Sequence, residues 1–213
     1  MKKLLLLAAF ISSAFGASAQ TAKDVFTAKE IVWYGLDFSK THFVGQFDQG
    51  FGIVPATGMD MRNKWAGAWN ELIVKEQNNF DLRKAFRADN VYFDLGPIAE
   101  QNKKIDSDRC MSFNPAKISK EEIAEMIKQY VPGEKTTGIG LVFIVENFNK
   151  NDLIGEMYVT YFDIATKKVL MIEKESARPI GQGLRNYWAG SVKSVLRNIE
   201  GTDYKVWKKE YSK

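Results

Sequence analysis

The chain has 213 residues, of which 45% are hydrophobic and 26% charged, the balance of one ordinary folded domain or two small lobes. Its one Cys excludes an internal disulfide, and one Cys with one His leaves too few soft ligands for a zinc site. The formal charge of +4, half of it from Lys2 and Lys3, is spread along the chain and leaves no footprint for nucleic acid.

Residues 1–19 have the three parts of a secretory signal peptide in order. Lys2 and Lys3 supply the positive end, 4–15 is an apolar run, and Ala17-Ser18-Ala19 offers small residues for cleavage before Gln20. The run is shorter than the roughly 20 residues a membrane span needs. No Cys follows it for lipid attachment. A mature chain starting at Gln after A-x-A is similar to exported proteins of Bacteroidetes-type bacteria. The expectation is a single domain over 20–213, periplasmic or secreted, with no transmembrane segment once the signal is removed.

Residues 30–38 (EIVWYGLDF) combine β-branched and aromatic types and read as a strand. Residues 47–59 are Gly-rich, contain Pro55 and read as a loop. Met61, Trp65, Trp69, Leu72 and Ile73 fall on one helical face, which predicts a helix over 60–77 with Asp60 as its cap. Residues 91–95 make a short strand stopped by Gly96-Pro97. Ser119 and Glu122 form a capping box for a helix through Ile123, Met126, Ile127 and Tyr130. The apolar run at 139–147 predicts a central strand covered on both faces. Residues 156–164 and 169–175 form a β-hairpin about a turn at 165–168. Leu184, Trp188, Val192, Val195, Leu196 and Ile199 stripe a helix over 183–199 that Gly201 closes, and the Lys-rich tail beyond it reads as a solvated end. Together these predict an α/β (α+β) domain: a mixed four- to five-stranded sheet with a carboxyl-terminal β-hairpin and about three amphipathic helices.

Two segments occur twice. Arg62-Asn63-Lys64-Trp65-Ala66-Gly67 returns as Arg185-Asn186-Tyr187-Trp188-Ala189-Gly190, and IVWYGLDFSKTHFVG from Ile31 resembles LVFIVENFNKNDLIG from Leu141. The order of strand, loop and helix is kept, which predicts either pseudo-symmetric halves near 29–110 and 135–213 or one packing solution used twice. Gly in a helix costs about 1 kcal/mol relative to Ala. Trp65, Gly67, Trp188 and Gly190 therefore read as structural residues, the Gly positions marking close approach of helix to sheet. Arg62 and Arg185 sit near helix starts, where the dipole does not favour positive charge. They meet either a carboxylate within the fold or an anionic ligand.

The segment GEMYVTYFDIATKKVLMIEKESA, with Asp163 followed by Thr166-Lys167, is similar to the paired strands of the α/β domain found at the amino terminus of TolB and in curli-secretion and penicillin-binding-protein-activator lipoproteins. Lys167 stands where that family often has Gly. The resemblance implies a non-enzymatic docking domain of the bacterial envelope and brings no catalytic residues with it.

No G-x-S-x-G elbow, complete phosphate loop or calcium loop occurs. Gly181-Gln182-Gly183 precedes a helix, where an anion can bind. Cys110 reads as a passive thiol, with the sole His, His42, distant in sequence. Glu173 and Glu175 share a strand face and read as exposed charges. No catalytic residue, metal site or cofactor is predicted. Phe43, Phe47 and Phe51 follow no clear period. They either fold over the core or expose an apolar contact surface, and with Arg62 and Arg185 they are the candidate ligand or partner contacts. The functional expectation is an exported, non-catalytic binding or scaffold domain whose partner is another envelope protein. The alternatives are a small-ligand carrier with an aromatic-lined pocket and a hydrolase working by carboxylates alone.

Overall fold

In the computed structural model the described residues are 20–49 and 54–213, so the predicted signal segment and Phe51 lie outside them. The amino-terminal part contains α1 (Ala22–Val25), β1 (Glu30–Asp37), β2 (His42–Val44) and a small antiparallel pair, β3 (Asp48–Gln49) and β4 (Val54–Pro55). Next come α2 (Gly58–Asp60), a π-helical turn (Met61–Trp65), α3 (Ala66–Lys75), α4 (Leu82–Phe86), β5 (Asn90–Phe93), α5 (Gly96–Asn102), β6 (Met111–Ser112) and α6 (Lys120–Lys128). The chain ends with β7 (Ile139–Asn149), β8 (Ile154–Asp163), β9 (Val169–Ala177), α7 (Gly183–Asn198), a second π-helical turn (Ile199–Asp203) and α8 (Tyr204–Tyr211).

Every residue of β7 is buried, as its near-continuous apolar run demands. β8 lies antiparallel along its whole length, and β9 extends the hairpin outward. On the opposite edge of β7, β1 runs parallel beside 140–144 and β2 beside 147–149. β5 then pairs parallel with β1, and β6 with β2. The result is a mixed, mainly parallel sheet of seven strands. That exceeds the expected four to five, because β2 and β6 are too short to show alternation. The helices likewise outnumber three, since α4 and α5 are only 5 and 7 residues long.

Helices cover both faces. Trp33, Leu36, Phe143 and Val145 lie in one cluster with Trp69, Phe86, Trp188 and Trp207 from α3, α4, α7 and α8. Val32, Tyr34, Val142 and Ile144 lie in the other, against Ile98 of α5 and Ile123, Met126 and Ile127 of α6. The alternation along β1 changes phase at Gly35, where the register with β7 shifts and φ is +115°. A Cβ there would meet Asn70 Oδ1 at 2.3 Å, so only Gly admits this approach.

Several predicted boundaries move. The cap of the helix over 58–75 is Thr57, not Asp60: Thr57 Oγ1 accepts from Asp60 N, and Asp60 Oδ2 accepts from Thr57 N at 2.8 Å. The π-turn inserts extra rotation, so that Ala66 is buried and Trp65 is half-buried. Gly201 does not end its helix, since the second π-turn carries the chain on into α8. The tail is accordingly a helix whose lysines are exposed, as expected of a solvated end, but which docks on the core through Trp207, with Tyr204 buried at its start.

α8 also changes the reading of Glu173 and Glu175. They are half-buried, and Tyr211 Oη donates to Glu173 Oε1 at 2.6 Å. Burial, then Asp203 and Glu173, push the Glu175 carboxyl up to about 7. A raised acid binds its proton more tightly in the folded chain, so its contribution is present below about pH 4.5 and is lost as pH rises towards 7. Because the group is only half-buried, we expect a loss of roughly 1–2 kcal/mol between pH 5 and 8. Urea midpoints of wild type and Glu175→Gln should converge at pH 5 and separate at pH 8, with the variant more stable. A constant gap at both pH values would contradict this assignment.

Candidate functional site

β5 stops opposite Trp33, and Asp94 N makes a last bond to Trp33 O at 2.9 Å. Beyond that point β1 would have an unpaired outer edge. Two buried asparagines replace the missing strand. Asn70 of α3 accepts from Leu36 N at 2.7 Å and donates to Leu36 O at 3.0 Å. Asn102 of α5 accepts from Phe38 N at 2.7 Å and donates to the same Leu36 O at 3.0 Å. The two helices are thus tied to one strand end but leave a gap between them.

That gap is a cleft of about 550 Å³ lined by Arg62, Asn63, Gly67, Asn70, Glu71, Leu95, Ala99, Asn102 and Lys103. It lies past the carboxyl ends of parallel strands, the usual ligand position in open α/β sheets. The π-turn places Arg62 and Asn63 on its wall. Arg62 Nε donates to Asn63 Oδ1 at 3.2 Å, and among the described residues no carboxylate ion-pairs with Arg62. The other charges are engaged: Lys103 with Glu100 at 2.5 Å, Glu71 with Lys75 at 2.7 Å.

On the other side of α5 a wider cleft of about 730 Å³ is lined by Lys40, His42, Lys104, Arg109 and Cys110, and by Glu121 and Glu125 of α6. His42 and Cys110 do not form a reactive pair here. His42 Nδ1 donates to Asn114 O at 2.8 Å, while the thiol lies against Gly58. Burial, then Asp106, push that thiol up to about 11, which fits a passive residue. Among the described residues no group of three or more His, Cys, Asp or Glu is placed to hold a metal. No described helix is long and apolar enough to cross a membrane.

The predicted contact residues separate. Phe43 and Phe47 are 0% and 1% exposed, so they are core, not contact surface. Phe43 packs on Phe38 and stacks on Trp69, and Phe47 stacks on Trp188 at 5.2 Å between ring centres. Arg62 and Arg185 do not converge either. Arg185 is exposed at a separate concavity formed with Lys64, Trp65 and Asn186. Its Nε nevertheless donates to Asn186 Oδ1 at 3.1 Å, the same local contact that Arg62 makes. The echo is visible in the packing as well. β1 and β7 are adjacent, Phe38 meets Phe148 at 5.7 Å, and Trp69 Nε1 donates to Arg185 O at 3.0 Å.

The glycines of the echo differ. A Cβ on Gly190 would meet Ile180 O at 1.9 Å, a close approach to the loop before α7 and not to the sheet. At Gly67 nothing lies within 4 Å, so the expected close approach is not made there. Asn70, Asn102 and the α5 wall went unread in the sequence. The available signal was Asn70 itself, a polar residue inside an apolar stripe. Protein-family models, curated proteins and solved structures contain no match to this chain.

Proposed function

We propose that residues 20–213 act, after export, as a non-catalytic binding domain that holds a small ligand in the cleft between α3 and α5. The observation that carries this reading is Arg62, a half-buried guanidinium with no ion-pair partner among the described residues, on the wall of a cleft of ligand size. Gly67 supports it, since a helix residue that costs about 1 kcal/mol and meets no neighbour leaves the cleft open. Asn63, Asn70 and Asn102 add amides, and Leu95 and Ala99 add apolar surface. Protein-observed NMR of residues 20–213 with a fragment library of acids, bases and neutral compounds tests the reading. Hits should shift the amides of Arg62, Gly67, Ala99 and Lys103, and Gly67→Phe should abolish them. Hits confined to other surfaces, or none, would overturn it.

A second reading, a docking domain of the TolB type, is favoured by one observation. Lys167 adopts the left-handed conformation, φ +58°, in a turn where Asp163 Oδ1 accepts from Thr166 N and Oγ1 at 2.8 and 2.9 Å. That backbone conformation is the one Gly serves best. Capture of a specific envelope protein by a Gly67→Phe variant would favour docking over the ligand cleft.

A further inference from the structure

We infer that the ligand of the α3–α5 cleft is a monocarboxylate with a compact apolar body, its carboxylate held at two points by Arg62 and its body resting on Leu95, Ala99 and Gly67. This rests on the reading of the cleft as a ligand site. The charge balance selects the anion. Glu71 is paired with Lys75 and Lys103 with Glu100, which leaves one uncompensated positive charge among the lining residues, that of Arg62. A dianion such as phosphate would find only one uncompensated cation and keep an unpaired charge. The geometry selects the planar head group. The bond from Nε to Asn63 Oδ1 uses one edge of the guanidinium and leaves both Nη groups to donate as a fork. Asn102 supplies a further donor: it lines the cleft, is buried, and spends one N–H on Leu36 O. No described acceptor takes its second N–H. Beside these donors, Leu95, Ala99 and the open flank of Gly67 line the same cleft and offer no polar side chain, which suits an apolar body.

Matched pairs isolate the carboxylate. Isothermal titration of residues 20–213 with 4-methylpentanoate and 4-methylpentanamide, and with phenylacetate and phenylacetamide, should show each acid binding at least 10-fold tighter than its amide. Inorganic phosphate should bind more weakly than either acid. Arg62→Gln should bring the acids down to the level of the amides and leave the amides unchanged. Arg62→Lys should fall between, since an ammonium keeps the charge but loses the fork. A pentapeptide ending in Leu, with a free or an amidated terminus, separates the sources: tighter binding of its free acid than of the small acids assigns the site to a chain terminus. Acids and amides binding equally, in wild type and in Arg62→Gln, would overturn the carboxylate inference while keeping the cleft. Phosphate binding tightest would overturn it also. No binding by any probe, with Gly67→Phe indistinguishable from wild type, would remove both the inference and the cleft reading.

Discussion

Gly190→Ala should destabilise the domain by about 3 kcal/mol, whereas Gly67→Ala, the same change in the same hexapeptide motif, should stabilise it by up to about 1 kcal/mol. Both glycines lie within α-helices and at ordinary helical φ, so Ala gains helix propensity at each. The surroundings decide the sign. A methyl group at 190 would sit 1.9 Å from Ile180 O and 2.6 Å from Ile180 N, both backbone atoms that yield only if the loop leaves α7. A methyl group at 67 enters open space. For a chain of this size about 1 kcal/mol moves the melting temperature by roughly 2–4 °C, so the two variants should melt on opposite sides of wild type. Shifts of the same sign would contradict the packing described for one of them. Gly67→Ala also narrows the cleft, so it should gain stability and lose affinity together. A gain in both would argue that Gly67 has no part in the site.

The contrast shows how far sequence reasoning carries. Five strands, β1, β5, β7, β8 and β9, were legible because β-branched and aromatic runs in this chain are bounded by turn residues, with β7 in its predicted central place and β8 and β9 in their predicted hairpin. The two long helices were legible from their stripes. What escaped was set by contacts between distant segments. β2 and β6 exist because β7 is long enough to pair with two successive strands, a fact about β7 that cannot be seen at 42–44 or 111–112. Gly67 and Gly190 end hexapeptides that differ only at Lys64 and Tyr187, and what separates them is whether the chain at 180 lies above them. Phe43 and Phe47 lacked a period because one lies in a strand of three residues and the other in the loop after it, both filling the volume beside Trp69, Phe148 and Trp188. Arg62 was legible as a charge at an unusual place, but its cleft was not, since α5 is short and without a stripe.

Loss of the Asn70 side chain should cost about 3–4 kcal/mol, and the cost should couple to that of Asn102. Asn70→Ala removes the acceptor of Leu36 N, in a strand that lies wholly within the core at this point. A buried backbone N–H without a partner costs about 1–3 kcal/mol, and the lost volume adds to it. Leu36 O is protected, because Asn102 Nδ2 still donates to it at 3.0 Å. Asn102→Ala is the mirror case: Phe38 N loses its acceptor, while Asn70 Nδ2 still serves Leu36 O. Only the double variant orphans that carbonyl. The two losses should therefore be more than additive, by about 1 kcal/mol, in a double-mutant cycle read by urea unfolding. Strict additivity would mean that the two side chains do not share Leu36 O in solution. The coupling bears on function because these two asparagines fix the distance between α3 and α5. Arg62 and Gly67 stand on the π-turn and α3 and Ala99 on α5, so a strand end completed by side chains, where a longer β5 would otherwise close the edge, is what leaves a cleft there at all.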